Sequence, residues 1–416
     1  MLSSESASTV AQTLPAVSAA LPDISQNFYA RLFSAHPELL RDVFNRANQT
    51  SGAQATALAG AVTAFAAHVI SRPEELPEIL LSRLAHRHAA IGVSREQYTV
   101  VHEHLFDAIG EVLGTALTPA AASAWNEVYW LMADLLADRE HSLYEERVLE
   151  GHAWRGWRDW RVVARTAETA DITTFHVVPA DDGPVPAFKP GQYVSVQVGL
   201  PDGARQIRQY SLSCGVPGRP TWRFSVKRVD CRDTSGDGFA GEVSRHLHDR
   251  VECGHLVSLS APFGDLVLPE RPGPLLLVSA GIGAAPMLSL LEQLSLAGHD
   301  RGVTAVHADR SHASHMRADK HRKFTEGLAG GSALFWYEEP RPDHPADLPG
   351  RADLSAVAIP AEADAYICGP VPFLHDVRDQ LLKAGMPGTR IHYEVFGPDM
   401  WLPGPDGAAA LASPRP

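Results

Sequence analysis

Cysteine is scarce and unpatterned in this chain. Four thiols, Cys214, Cys231, Cys253 and Cys368, are scattered through 416 residues. They show neither metal-ligand nor CxxC spacing, so no disulfide framework organises the fold. Reduced thiols of this kind point to the cytoplasm. No Lys/Arg run offsets a net charge of −13, which argues against nucleic acid or an anionic membrane surface as partner. No stretch approaches the roughly 18 apolar residues of a membrane span. The opening MLSSESASTVAQTLPAVSAAL lacks the basic flank and dense apolar core of a signal peptide. Internal repeats are missing too. What is present is an ordinary globular composition, 45% hydrophobic and 20% charged, with length enough for two to three domains.

The texture changes twice along the chain. Residues 1–149 are rich in Ala and Leu with helical periodicity. Breaks are expected near Pro15, Pro37, Ser51-Gly52, Pro73, Gly92 and Pro119, predicting an all-helical domain of six or more helices. From Arg161 the short alternating runs ITTFHVV, YVSVQV, RFSVKRV and HLVSLSA predict a small antiparallel barrel over 150–271. From Pro274 strands alternate with helices: LLLVSA then PMLSLLEQLSLAG, VTAVHAD, ALFWYEE, and AYIC before another helix. That is the pattern of a doubly wound α/β domain, assigned to 272–400. The Pro/Gly/Ala-rich segment 401–416 reads as a disordered tail.

Two groups of residues carry chemistry. On the predicted helix PEILLSRLAHRHAAIG, the ladder Leu81, Leu84, Ala85 continues to His88, which faces the core, while His86 points to solvent. The preceding helix puts Gln54 at the head of a stripe with Leu58, Val62 and Phe65. An amide on such a face needs a partner, since burying it alone costs about 1–3 kcal/mol. Facing helices can thus offer an amide on one side of a flat ligand and an imidazole on the other, with the Tyr29 hydroxyl beside the amide. Ser94-Arg95-Glu96-Gln97 is a capping box that sets Tyr98 in the first turns of a helix. In the last helix Glu140 extends the stripe Tyr129, Met132, Ala133, Leu136. A carboxylate on the imidazole would raise its basicity as a metal ligand. Singly, each residue has a plainer reading: a hydrogen-bonded core histidine, a core tyrosine, a solvated glutamine, a surface carboxylate beside Arg139.

The second group suits a flavin and a nicotinamide. Arg208-Gln209-Tyr210-Ser211 offers a guanidinium for pyrophosphate, a ring to pack on the flavin and a hydroxyl for a ring nitrogen. Pro190-Gly191-Gln192-Tyr193 lies upstream, and Gly241-Glu242-Val243-Ser244 opens a helix whose N-terminus suits phosphate. Gly281-Ile282-Gly283-Ala284-Ala285-Pro286 links a strand to a helix as a dinucleotide loop does, with Pro286 in place of the last glycine. Cys368-Gly369-Pro370 repeats that logic and sets Cys368 beside the nicotinamide. Glu394-Val395-Phe396-Gly397-Pro398 closes the set with Phe396 as a stacking ring. Arg310, after the second strand of this domain, is a candidate for a 2′-phosphate, and NADH and NADPH both remain open.

FYARLFSAHPEL, DVFNRANQ, HRHAAIGVSREQY and VHEHL, followed by the reductase motifs in the same order, resemble the bacterial flavohaemoglobins over about residues 1–400. The resemblance implies a globin domain, an FAD barrel and an NAD(P) domain. It implies that His88 ligates the iron of haem b, with Phe44 packed on the haem and Leu58 beside the distal pair Tyr29 and Gln54. Tyr98 and Glu140 fall on the relay that polarises the histidine. Arg87 stands where relatives usually carry Lys, which leaves its tuning of the haem edge open. The stretch CRDTSGDGFAG (231–241) is longer than the family's. The implied activity is nitric oxide dioxygenase: electrons from NADH or NADPH pass through FAD to haem, and NO with O2 becomes nitrate. An alkyl hydroperoxide reductase and an oxygen- or NO-binding sensor with its own reductase are the alternatives. A cytoplasmic monomer is expected.

Overall fold

The computed structural model describes residues 1–149, 154–214, 220–230, 239, 241–268, 273–298, 300, 302–360 and 362–397. The expected tail and Pro398 lie outside the described residues, as does the 231–241 stretch apart from Phe239 and Gly241. Two compact units emerge, one built on Met1–Gly156 with Gly199–Ile207, the other on Trp157–Val198 with Arg208–Phe396.

The first unit is helical: α1 (Ser4–Ala35), α2 (Pro37–Asp42), α3 (Arg46–Thr50), α4 (Ala53–Ser71), α5 (Glu78–Ile91), α6 (Arg95–Leu113) and α7 (Pro119–Leu149). Helices start or stop at Pro37, Gly52, Gly92 and Pro119 as predicted. Gly92 closes α5 in the left-handed region at φ 77°, which a glycine adopts without steric cost. The break at Pro15 does not occur. α1 runs through Pro15 and Pro22, burying Val10, Val17, Leu21 and Ile24 against α4, α6 and α7. An internal proline costs about 3 kcal/mol, whereas each buried aliphatic side chain contributes about 1.5–3 kcal/mol. Packing wins.

α4, with 19 residues, is the one helix among the described residues long and apolar enough to cross a membrane by length and composition alone. Alanine supplies much of that hydropathy, diluted among polar residues in the sequence. Here Ala61, Phe65, Ala66 and Val69 are buried in the helical unit.

The second unit opens with β1 (Arg158–Ala167), β2 (Ile172–Pro179), β3 (Tyr193–Gly199), β4 (Arg205–Ser211), β5 (Trp222–Lys227) and β6 (Leu256–Leu259). They form one sheet in the order β4-β3-β6-β1-β2-β5, with antiparallel pairing along β3–β6–β1–β2–β5. A bridge between Leu212 and Phe224 joins the two edges, closing the sheet as the alternating pattern predicted. Trp160 and Trp222 stack inside at 4.1 Å. α8 (Glu242–Arg250) follows.

The remaining elements are β7 (Leu275–Ala280), α9 (Ala284–Leu296), β8 (Val303–Ser311), α10 (Ala318–Glu326), β9 (Ser332–Glu339), β10 (Asp347–Pro349), β11 (Asp364–Gly369), α11 (Val371–Lys383) and β12 (Ile391–Val395). The parallel sheet runs β10-β9-β8-β7-β11-β12. Every residue of β7 is buried, as a strand covered on both faces requires. From β7 the chain winds outward through β8, β9 and β10, then returns to β11 on the other side. The strand order therefore reverses between β7 and β11, where open α/β sheets bind ligands beyond their carboxyl ends.

Candidate functional site

His88 lies one turn before the end of α5, and two other helices converge on it. Its Nδ1 is 2.8 Å from the Tyr98 hydroxyl and 2.8 Å from Glu140 Oε1. Tyr98 donates to the same Glu140 oxygen at 2.5 Å. The capping box at Ser94 is formed and fixes the start of α6. The Tyr129 hydroxyl on α7 donates to the Tyr98 carbonyl at 2.6 Å, tying α6 to α7. Burial, with Glu140 beside it, pushes the Tyr98 phenol well above its ordinary pKa, so it stays a donor. A carboxylate that accepts from both neighbours makes His88 Nδ1 the N–H of the ring. Nε2 then carries the lone pair, the tautomer a metal ligand needs. The His88 side chain is 29% exposed while Glu140 is 5%, so the relay is enclosed and the ring is open on one side. His86 is half-buried like His88. The two are thus distinguished less by burial, as the helical phase implied, than by the groups that hold Nδ1.

Tyr29, Phe44 and Leu58 meet in a separate apolar cluster with Ile24, Phe28 and Leu32. Phe44 meets the Tyr29 ring edge-on at 5.9 Å. Burial raises the Tyr29 phenol pKa, partly offset by its hydrogen bond with the Gln54 side chain. A protonated hydroxyl and an amide thus sit together on an otherwise apolar wall. Arg87 donates from Nη1 to the Gly397 carbonyl at 2.6 Å.

One residue here escaped the sequence reading. Gln206, fully buried, donates from Nε2 to the carbonyls of Arg41 (2.9 Å), Phe44 (3.2 Å) and Leu40 (3.3 Å). Those carbonyls end α2 and lead into Phe44, so Gln206 fixes the backbone that carries the Phe44 ring. A glutamine between Arg205 and Ile207 in a strand is a faint signal, because its partners lie more than 160 positions away.

On β4, Arg208 pairs with Glu242 at the start of α8 (3.3 Å), Gln209 is half-buried, and Tyr210 stacks on Phe224 at 5.8 Å. The Ser211 hydroxyl is buried without a hydrogen-bond partner, a cost of about 1–3 kcal/mol that a bound acceptor or donor removes. An orphaned hydroxyl beside a ring and a guanidinium fits an isoalloxazine with its pyrophosphate. Tyr193 is buried against Gly264. Val243 is buried in the core. Ser244 Oγ accepts from Val229 N and donates to the Gly241 carbonyl, both at 3.1 Å. These last two side chains are therefore spent inside the protein, and the N–H groups of the first turn of α8 are what that turn offers to phosphate.

Gly281-Ile282-Gly283 form a single turn of 3-10 helix at the carboxyl end of β7, and Ala284, Ala285 and Pro286 begin α9 buried. Gly281 has φ 54°. At Gly283 an added Cβ would sit 2.2 Å from the Cys368 carbonyl oxygen. That glycine therefore serves the close approach of the β7 loop to β11. Gly369 is packed against Ala280 and Phe373, and Pro370 caps α11. Cys368 is fully buried, paired in register with Ser279 and Glu394. Its thiol is held well above its ordinary pKa by burial, then by Glu394. Its side chain is packed in the core of the sheet, at the carboxyl end of β11. Val395 is buried, Phe396 is exposed, and Arg310 pairs with Asp171 at 3.4 Å.

Gly283→Ala is expected to destabilise this unit by about 1–3 kcal/mol through overpacking. A lower thermal midpoint checks it; an unchanged midpoint would mean the two loops are not in contact.

Residues 26–136 match the globin family model and residues 277–379 the oxidoreductase NAD-binding domain. A flavohemoprotein of Rhizobium meliloti is 42% identical over 96% of this chain and 100% of its own length. One from Chromobacterium violaceum is 40% identical over 95% and 98%. Among solved structures, the flavohemoglobin of Malassezia yamatoensis, with bound FAD and heme, is 32% identical with a TM-score of 0.85. It matches over 95% of this chain and all of its own. The FAD/NAD-binding domain of nitric oxide dioxygenase from Vibrio cholerae is 39% identical, with a TM-score of 0.53, over 58% of this chain and 99% of its own.

Proposed function

The chain belongs to the flavohemoprotein family, and from that premise we propose that it is an NAD(P)H-dependent nitric oxide dioxygenase turning NO and O2 into nitrate. The observation that carries the reading is the His88–Tyr98–Glu140 relay, which leaves Nε2 as a lone-pair donor. When bound, FAD divides the hydride of NAD(P)H into single electrons, and haem iron brings O2 to NO with one electron used per nitrate.

The chain's own residues supply orientation and electrostatics. His88 Nε2 would hold the iron, with Glu140 hydrogen-bonded at Nδ1 fixing the ring's tautomer and orientation. Tyr29 and Gln54 aim an O–H and an N–H at oxygen atoms where negative charge develops. Phe44 and Leu58 keep water from that wall. Arg208 and the α8 N-terminus hold pyrophosphate, with Tyr210 and Ser211 against the flavin. The loops at Gly281 and Gly369 flank the switch point and admit the nicotinamide. The domain ranges 1–149, 150–271 and 272–400 belong to this proposal, as does a cytoplasmic monomer.

Anaerobic reduction with NADH, then addition of O2 and NO with nitrate measured, tests it. The expected result is one NADH consumed per pair of nitrates. NADH consumption driven by organic peroxide but not by NO, or slow turnover with every substrate, would overturn it in favour of a peroxidase or a sensor.

A further inference from the structure

A cluster of three histidines lies in the α/β domain, where none of the chemistry above uses it. His307 comes from β8, His315 from the turn after it, and His321 from α10. All three are buried, with His307 and His321 fully enclosed. His307 and His315 stack with ring centroids 3.7 Å apart. His315 Nε2 lies 3.0 Å from His321 Nδ1. One ring nitrogen from each of the three lies within 4.8 Å of the others. Phe335 walls the group, its ring centroid 4.8 Å from His315 and 5.0 Å from His321.

Hydrogen bonding accounts for only part of this arrangement. Ser279 Oγ meets His307 Nδ1 and the Tyr337 hydroxyl meets His315 Nδ1, each at 2.8 Å. His307 Nε2 and His321 Nε2 are buried with no hydrogen-bond partner. An unpartnered polar atom in a core is costly, so leucines would be the cheaper filling. Asp309 Oδ2 stands 3.5 Å from His307 Nε2, a long contact at the limit of hydrogen bonding. The other oxygen of that carboxylate is fixed by Ser314 Oγ (2.7 Å) and Arg310 N (2.8 Å).

We infer that His307, His315 and His321 form a binding site for a divalent transition metal ion, zinc by ligand type, with Asp309 as the nearby negative charge. Imidazole suits zinc, and a tetrahedral ion with Zn–N of about 2.0–2.1 Å sets neighbouring nitrogens about 3.3 Å apart. The observed separations bracket that value, so small ring rotations suffice once the proton shared by His315 Nε2 and His321 Nδ1 moves to another ring nitrogen, for which the unpartnered His321 Nε2 is placed. A buried dication needs a compensating anion, and Asp309 Oδ2 is already turned toward the cluster. The ion would clip β8, the following turn and α10 together, and so hold the segment that bears Arg310 and Arg317. This inference is independent of haem.

The test uses the full-length holoprotein. Metal analysis is expected to find one zinc per chain besides the haem iron. After chelation, Co2+ should give the intense visible absorption of a tetrahedral site, and zinc should raise the thermal midpoint. His321→Leu should lose both responses, with zinc affinity weakened at least about 100-fold, more than loss of an outer-shell partner costs. His141→Leu, at an exposed histidine of α7, should keep both. Should His321→Leu not fold, His321→Cys retains a ligand atom and should add a thiolate-to-cobalt band to the spectrum. Wild-type protein without zinc and without a tetrahedral cobalt spectrum would overturn the inference. So would responses that persist in His321→Leu, or His321→Cys protein with no new band.

Discussion

His88→Ala is expected to abolish haem binding, seen as loss of the Soret band, while NADH still reduces ferricyanide through the flavin. Glu140 and Tyr98 between them fix one tautomer of one ring, and no other histidine of α5 is held in that way by both. Losing an outer partner of a metal ligand costs about 10–100-fold in affinity; losing the ligand itself costs more. His86→Ala should keep the band, because His86 is absent from the relay. Ferricyanide reduction should survive, because Arg208, Tyr210, Ser211 and the loops at Gly281 and Gly369 belong to the second compact unit. A Soret band retained in His88→Ala would remove the iron-ligand assignment, and a band lost in His86→Ala would transfer it.

That relay was legible in the sequence because helical period and caps are local properties. Gly92 and Ser94 close one helix and open the next within three positions. The phase of α7 then carries Glu140 onto the same core. The doubly wound order was legible for a similar reason, since strands and helices alternate with clear turns. Interactions that span the chain were not. Pro15 reads as a break because the burial that overrides it comes from helices far along the sequence. Gln206 looks like any strand glutamine until its three carbonyl partners are brought up to it. His307 lies in the strand run VTAVHAD with His315 and His321 further along the chain, and it takes folding of β8 against α10 to bring their rings together.

Tyr29→Phe is the second large effect, and it separates binding of haem from use of O2. Phenylalanine keeps the ring that packs on Phe33 at 5.6 Å and Phe44 at 5.9 Å, so haem occupancy and fold should be preserved. Only the hydroxyl disappears. In the native protein that hydroxyl is protonated, since burial raises its pKa, and it is therefore available as a donor at neutral pH. Removing one preorganised donor from a site where negative charge develops costs about 10²–10³-fold in turnover. Nitrate formation should fall on that scale, and stopped-flow traces should show O2 lost faster from the reduced protein. Gln54 also loses its partner, at a cost of about 1–3 kcal/mol if the amide stays buried, which predicts a modest drop in the thermal midpoint. The two consequences are separable: Gln54→Leu with Tyr29 intact removes the amide and leaves the hydroxyl. If the tyrosine is the principal donor, Gln54→Leu should slow nitrate formation less than Tyr29→Phe does. Unchanged O2 loss in Tyr29→Phe would show that the hydroxyl does not reach the reacting oxygen, and the distal assignment would fall with it.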